Sequence, residues 1–145
     1  MTLTVKHYSE LTADELFEIL RLRQSVFIVE QNCPYNDIGT EDKSSYHIWL
    51  SDESGIVAYA RALPPGTTFE SAAVGRVVSV KRRRGLATRV VEEAVRVAHE
   101  RFGADVISLE AQVYARGLYE KLGFVQCSDV FLEDGIEHIN MMLRL

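Results

Sequence analysis

The chain has few residues that would organise it covalently. Its two cysteines, Cys33 and Cys127, lie far apart and form no CxxC pair, so neither a disulfide framework nor a cysteine-based metal site is expected. They read as reduced thiols of a cytoplasmic protein. No stretch approaches ~18 consecutive apolar residues, which leaves no expected membrane-spanning helix. Residues 1–10 mix Lys6, His7 and Glu10 and hold no apolar core of a signal peptide. Positive charge is in deficit: 16 Lys+Arg stand against 21 Asp+Glu, a net charge of −5. A globally acidic chain is a poor nonspecific nucleic-acid binder, so neither nucleic acid nor membrane is expected as a partner. Familiar catalytic signatures are also missing. There is no GxxxxGK[ST], no GxGxxG after a strand and no GxSxG elbow, and His99-Glu100 fails as HExxH because position 103 is Gly. No metal site is expected. What remains is a globular composition, 47% hydrophobic and 26% charged over 145 residues. At this size one domain spanning residues 1–145 buries roughly 70% of its unfolded surface without staples.

Periodicity gives the elements. Residues 4–8 read as a short strand. Thr12 opens a helix through a capping box with Glu15, and Leu16, Ile19, Leu20, Arg23, Val26 and Phe27 follow at helical spacing. Residues 36–45 form a polar connection. Residues 48–50, 56–63 and 72–80 read as strands, with Pro64 and Pro65 ending the second. A strong amphipathic helix starts beyond Gly85 and stops at Gly103. Residues 106–111 form a strand and 115–122 a short helix. Residues 124–131 and 138–145 close the chain as a hairpin around the Glu133-Asp134-Gly135 turn. Strands paired locally and strands separated by helices indicate an α/β or α+β domain with a mixed sheet.

Two segments carry chemistry. Val77, Val78 and Val80 run into Arg82-Arg83-Arg84-Gly85-Leu86-Ala87-Thr88, and a helix begins at once. A helix N-terminus offers unpaired N–H groups and partial positive charge, which suits a phosphate; a solvated basic turn is the plainer alternative. The second segment is QVYARGLYEKLGF at residues 112–124, with Tyr119 in a short helix, where a core aromatic is the plainer reading.

Taken together, the segments resemble the Gcn5-related N-acetyltransferases. Arg82, Gly85 and Ala87 match the [RQ]-x-x-G-x-[GA] pattern, and Ala115, Tyr119, Gly123 and Phe124 match A-x-x-x-Y-x-x-x-G-F. Arg21-Leu22-Arg23, residues 26–31, Cys33-Pro34-Tyr35, residues 75–78 and residues 131–139 are most similar to the ElaA-like branch of small bacterial acyltransferases. Gln112 departs from a frequent asparagine, and Leu118 from a frequent aromatic.

The resemblance implies a mixed, mostly antiparallel central sheet flanked by helices. It also implies transfer of acetyl from acetyl-coenzyme A directly to a primary amine on a small molecule or a protein. Under it, the backbone of Val78, Ser79 and Val80 would pair with the pantetheine arm, and Arg82, Arg83, Arg84, Gly85, Leu86, Ala87 and Thr88 would hold the pyrophosphate. Gln112 would also hydrogen-bond the cofactor, and Tyr119 would protonate the leaving thiolate. An ammonium acceptor must lose a proton, so a base is needed; Glu30, His47, Glu110 and His138 are candidates, with Glu30 and His138 favoured. Arg76 would bind a substrate carboxylate or pair with one of these glutamates. Asp37, Glu41, Asp42, Glu133, Asp134 and Glu137 would line an acceptor mouth or be solvated surface acids. A non-catalytic coenzyme A-binding regulatory module is the alternative on the same fold. Acceptor identity, acyl length and oligomeric state, a homodimer included, stay open.

Overall fold

The computed structural model describes residues 1–80 and 85–145. The strands are β1 (Thr2–His7), β2 (Tyr46–Asp52), β3 (Gly55–Leu63), β4 (Ala72–Ser79), β5 (Val106–Gln112), β6 (Val125–Gln126), β7 (Phe131–Glu133) and β8 (Ile136–Arg144). The α-helices are α1 (Ala13–Arg23), α2 (Leu86–Phe102) and α3 (Arg116–Glu120). The strands form one sheet in the order β1-β2-β3-β4-β5-β8-β6, with β7 also on β8. Every neighbouring pair is antiparallel except β4–β5. The fold is thus the mixed, mainly antiparallel sheet flanked by helices that the resemblance implied.

Both faces of the sheet are covered, which explains the nearly unbroken apolar run of β3. Successive strand side chains point to opposite faces. Ile48, Leu50, Ala58, Ala60 and Ala62 meet Val90, Val91, Ala94 and Ala98 of α2. Trp49 and Tyr59, one residue out of phase, join Ile19, Val26 and Val78 on the α1 side.

The start of α1 is as read: Glu15 N–H donates to Thr12 Oγ1 at 3.1 Å, and Thr12 N–H to Glu15 Oε1 at 2.9 Å. Three expectations change. The first helix does not stay α-helical; Gln24–Glu30 is a π-helix. Its wider turn is visible in the bonds from Gln31 N–H to the Val26 carbonyl and Cys33 N–H to the Ile28 carbonyl, both five residues back. The single strand expected over 124–131 is two strands on β8, because Cys127 N–H reaches Asn140 O while Ser128 Oγ takes the Asn140 N–H, interrupting the ladder. Finally, 36–45 is not a simple polar connection: it contains a 3₁₀ turn at Thr40–Ser44 and two buried aspartates.

Two features of β4 position the site. Its parallel pairing with β5 consists of Ala72↔Ile107 and Ala73↔Ser108, after which β4 runs on to Ser79 and β5 to Gln112 unpaired with one another. On its other edge, Tyr59↔Val78 is followed by Arg61↔Gly75, so Arg76 and Val77 share the space opposite Ala60. This is a β-bulge, and Arg76 takes a left-handed backbone with φ 52°.

Candidate active site

Beyond Ala73 and Ser108 the diverging strands leave a cleft of about 570 Å³. Gly75 to Ser79 line one wall and Leu109 to Gln112 the other. Phe27, Gln31, Cys33 and Tyr35 close it from the first helix and the loop after it, and Glu133, Asp134, Ile136 and His138 from the β7–β8 hairpin. Those two segments meet directly, with Cys33 Sγ 3.7 Å from the Asp134 carbonyl. Gln112 Nε2 and Gln31 Oε1 approach to 3.4 Å across the same space.

Tyr119 lines the cleft, is 7% exposed and packs edge-on against Phe124 at 6.1 Å. Burial pushes its hydroxyl well above the usual tyrosine range, so it is protonated at neutral pH. Among the described residues that hydroxyl has no hydrogen-bond partner. It is a proton donor whose acceptor position is open to a ligand in the cleft.

A second polar group sits on the hairpin side. The β5–β8 register pairs Glu110 with Asn140 and Gln112 with His138, making Glu110 and His138 diagonal neighbours. The β7–β8 register does the same for Glu133 and His138. Ligating atoms of Glu110, Glu133 and His138 consequently lie within 4.8 Å of one another. His138 Nδ1 is 2.7 Å from the Ile136 carbonyl. A carbonyl only accepts, so Nδ1 carries a hydrogen, which places the lone pair of the neutral tautomer on Nε2. Phe131 stacks on the ring, with the planes 23° apart.

The other base candidates fare differently. Glu30 ends the π-helix, is exposed, and is not among the cleft-lining residues. His47 is fully buried rather than a surface residue. Its Nε2–H donates to the Asp42 carbonyl at 3.0 Å, and Nδ1 accepts from the Tyr59 hydroxyl at 2.6 Å. Burial pushes its pKa below the usual histidine value, against the pull of the Asp42 carbonyl. It is a neutral structural strut.

Sequence reasoning missed the polar network beneath the cleft. Asp37 and Asp42, expected as acceptor-mouth or solvated acids, are instead buried ion-pair partners. Arg23, fully buried, donates Nη1 and Nη2 to the Asp42 carboxylate at 2.8 and 3.1 Å, and Nε to Asp37 Oδ2 at 3.0 Å. Arg61 Nη1 reaches Asp42 Oδ1 at 2.8 Å. Arg76 pairs through Nε with Asp37 Oδ1 at 2.6 Å, so its partner is an aspartate and not one of the glutamates considered. One signal was available: Arg23 lies on the apolar stripe of its helix and Arg61 inside the apolar run of β3. A buried charge there demands a partner of opposite sign.

The phosphate-binding expectation falls partly outside the described residues, where Arg82, Arg83 and Arg84 lie. From Gly85 onward it can be followed. Gly85 caps α2 with φ 70°, and among the described residues no side-chain cap hydrogen bond is made at that helix end. No atom of the described residues lies within 4 Å of where a Gly85 Cβ would project. Leu86, Ala87 and Thr88 form the first turn, with Ala87 facing the cleft. Of the pantetheine-pairing candidates, Val78 and Ser79 lie on the part of β4 that is unpaired with β5, while Val80 follows the strand and donates its N–H to Val57 O at 2.9 Å.

Residues 7–145 match the family model of the acetyltransferase (GNAT) domain. The chain belongs to the GNAT family. It is 36% identical to ElaA of Escherichia coli over 141 residues, 93% of this chain and 91% of that protein. The UPF0039 protein C11D3.02c of Schizosaccharomyces pombe is 36% identical over 144 residues, 97% of this chain and 95% of that one. The crystal structure of an acyl-CoA N-acyltransferase from Pseudomonas aeruginosa has a TM-score of 0.91 at 35% identity, covering 99% of both chains. This GNAT domain lies in the ElaA-like branch, and the family relationship supports acyl transfer as its general chemistry.

Proposed function

We propose that the protein is a cytoplasmic, single-domain N-acetyltransferase that moves an acetyl group from acetyl-coenzyme A directly to a primary amine. The observation carrying this reading is the cleft, where a protonated Tyr119 hydroxyl without an acceptor among the described residues shares one space with the Glu110, Glu133 and His138 group. A non-catalytic module has no use for that pairing of an acid with a base.

The residues present suit the co-substrate. The α2 N-terminus, with no side-chain cap and open space above Gly85 among the described residues, offers N–H donors to a pyrophosphate. The stretch of β4 beyond Ala73, unpaired with β5, offers a strand edge to the pantetheine amides. Acetyl-coenzyme A supplies an activated thioester carbon. Glu110 or His138 Nε2 takes the proton from the acceptor ammonium, freeing the nitrogen lone pair to form the new C–N bond. As the C–S bond breaks, Tyr119 donates its proton to the departing sulfur and is reprotonated by the second proton that the newly acylated nitrogen gives up. Positioning supplies most of the acceleration, with proton transfer contributing about 10²–10⁴-fold.

The test is release of free thiol from acetyl-coenzyme A in the presence of a panel of primary amines, with the N-acetyl product identified by mass. Amine-dependent thiol release supports the reading. Tight coenzyme A binding with no transfer to any amine, compared with the buffer rate, would favour the regulatory module.

A further inference from the structure

We propose that the acceptor is an amino-acid-type amine: it carries a carboxylate near the nitrogen that is acylated, and Arg76, backed by Arg61, binds that carboxylate. This rests on the acyltransferase reading and names its substrate class.

The first observation is Arg76 itself. Its φ of 52° is sparsely populated by residues with a Cβ, and such a conformation persists only where the surroundings over-determine it. Here the surroundings do so. Asp37 grips Nε at 2.6 Å, and the guanidinium lies over the rings of Phe27 and Tyr35, with centroids at 5.9 and 5.5 Å. The side chain is 27% exposed and lines the cleft. With Nε anchored and the plane fixed, Nη1 and Nη2 have no partner among the described residues. A guanidinium fixed this way is preorganised for the two parallel N–H···O bonds of a carboxylate.

The second observation is independent. Arg61 is 4% exposed, and its Nε is the buried side-chain nitrogen left without a partner among the described residues. It lines the same cleft beside Gly75, whose missing Cβ would sit 3.9 Å away. Glu41 Oε1 approaches Arg61 Nη2 only to 4.0 Å, beyond hydrogen-bond reach. A buried N–H lacking an acceptor is costly, and an anionic oxygen from a ligand satisfies it.

The third observation is polarity. Arg76 and Arg61 line the β4 side of the cleft, and Glu110, Glu133 and His138 its hairpin side, with Tyr119 also in the lining. An acceptor with ammonium and carboxylate matches both sides. A plain amine leaves the arginines unmet, and a lysine side chain on a protein surface brings no carboxylate of its own close to the nitrogen.

The test compares matched acceptors by thiol release: L-phenylalanine, L-histidine and L-lysine against phenethylamine, histamine and cadaverine, with L-phenylalaninamide as the neutral isostere. Amino acids should exceed their decarboxylated mates in kcat/KM by roughly 10²-fold or more, mainly through KM. In Arg76→Gln that ratio should collapse toward one, and Arg76→Lys should restore part of it. Melting curves check that each variant folds. If phenethylamine and phenylalaninamide are acetylated as well as phenylalanine, the substrate class is wrong while acyl transfer stands. If Arg76→Gln slows both members of each pair equally, Arg76 is structural and the proposal falls. If no amine is acetylated, the functional reading fails, and calorimetry of the same amino acids on the coenzyme A complex decides the carboxylate site separately. Binding weakened about tenfold by Arg76→Gln upholds the site, and no binding at millimolar concentration overturns it.

Discussion

Asp42 joins the two buried arginines of the network, and removing its charge is the sharpest test of what holds the cleft in place. Its carboxylate accepts three N–H groups, two from Arg23 and one from Arg61, and its side chain is 6% exposed. In Asp42→Ala both guanidiniums keep their burial and lose that acceptor, a change that typically costs about 3–5 kcal/mol. Against a total stability of about 5–15 kcal/mol, that is a large share. At roughly 2–4 °C per kcal/mol for a chain of this length, the melting midpoint should fall by about 6–20 °C. Asp42→Asn preserves shape, turns an acceptor oxygen into a donor and should fall within the same range. The pH dependence adds a separate signature. Burial alone would raise the Asp42 carboxyl, but the hydrogen bonds and charges of Arg23 and Arg61 outweigh it and hold the pKa below its ordinary 3.8. The unfolded chain therefore binds the proton more readily, and this stabilisation, full above 3.8, is lost as pH falls through the lower folded value. His47, depressed below 6.5 by burial, has the same sign, so its loss begins earlier, from about 6.5 downward. Thermal melts of the parent and Asp42→Asn across this acid range should show the step below 3.8 in the parent alone. Midpoints within about 2 °C of the parent, with parallel acid profiles, would refute the argument.

Three further outcomes test the site. Tyr119→Phe keeps the ring against Phe124 and removes the proton donor, so kcat should drop roughly 10–10³-fold with coenzyme A affinity little changed; parent-like turnover when chemistry limits the rate rules out the acid role. Gly85→Val places a branched side chain at φ 70° and into the open space over the α2 N-terminus, and calorimetry should show coenzyme A affinity weakened about tenfold or more; unchanged affinity in a folded variant displaces the phosphate site. Glu110→Gln and His138→Ala should each lower kcat/KM, the true base by about 10²–10⁴-fold, with its ionisation lost from the pH–rate profile; if Glu30→Gln carries that loss instead, the base sits at the end of the π-helix.

Much of the scaffold was legible because its signals are local. The capping box at Thr12, the stripe of α2 and the glycine stop at Gly103 each depend on neighbours within a turn or two, and each appears where the pattern put it. Two stretches similar to the ElaA-like branch, within 26–35 and 131–139, contribute Phe27, Cys33 and Tyr35 and then Glu133 and His138 to one cleft. The polar network was not legible, for a physical reason. Arg23 finds Asp42 at a separation of 19 residues through a loop with no period, and Arg76 finds Asp37 at 39. No hydrophobic pattern records such pairings, and an aspartate in a polar loop looks solvated until its burial is known. The π-helix escaped for a related reason, since Val26 and Phe27 fit an α-helical stripe as well as a wider turn.

The bulge at Arg76 lies between the buried polar network and the cleft. An extra residue in β4 lets two residues face one on β3, and such insertions bend the strand and increase its local twist. The same strand keeps its parallel pairing with β5 for only two residue pairs, and the cleft opens where that pairing stops. In a regular β4, Arg76 would lie in extended backbone and point to one covered face of the sheet instead of taking the left-handed position from which it lines the cleft. With the bulge, the backbone strain at one residue is tied to an open strand edge and to an arginine aimed into the space beside it. Deleting Val77 should test this coupling: restoring regular pairing should abolish coenzyme A binding and the preference for carboxylate acceptors together. A deletion variant that folds and keeps either property would show that the bulge does not open the cleft.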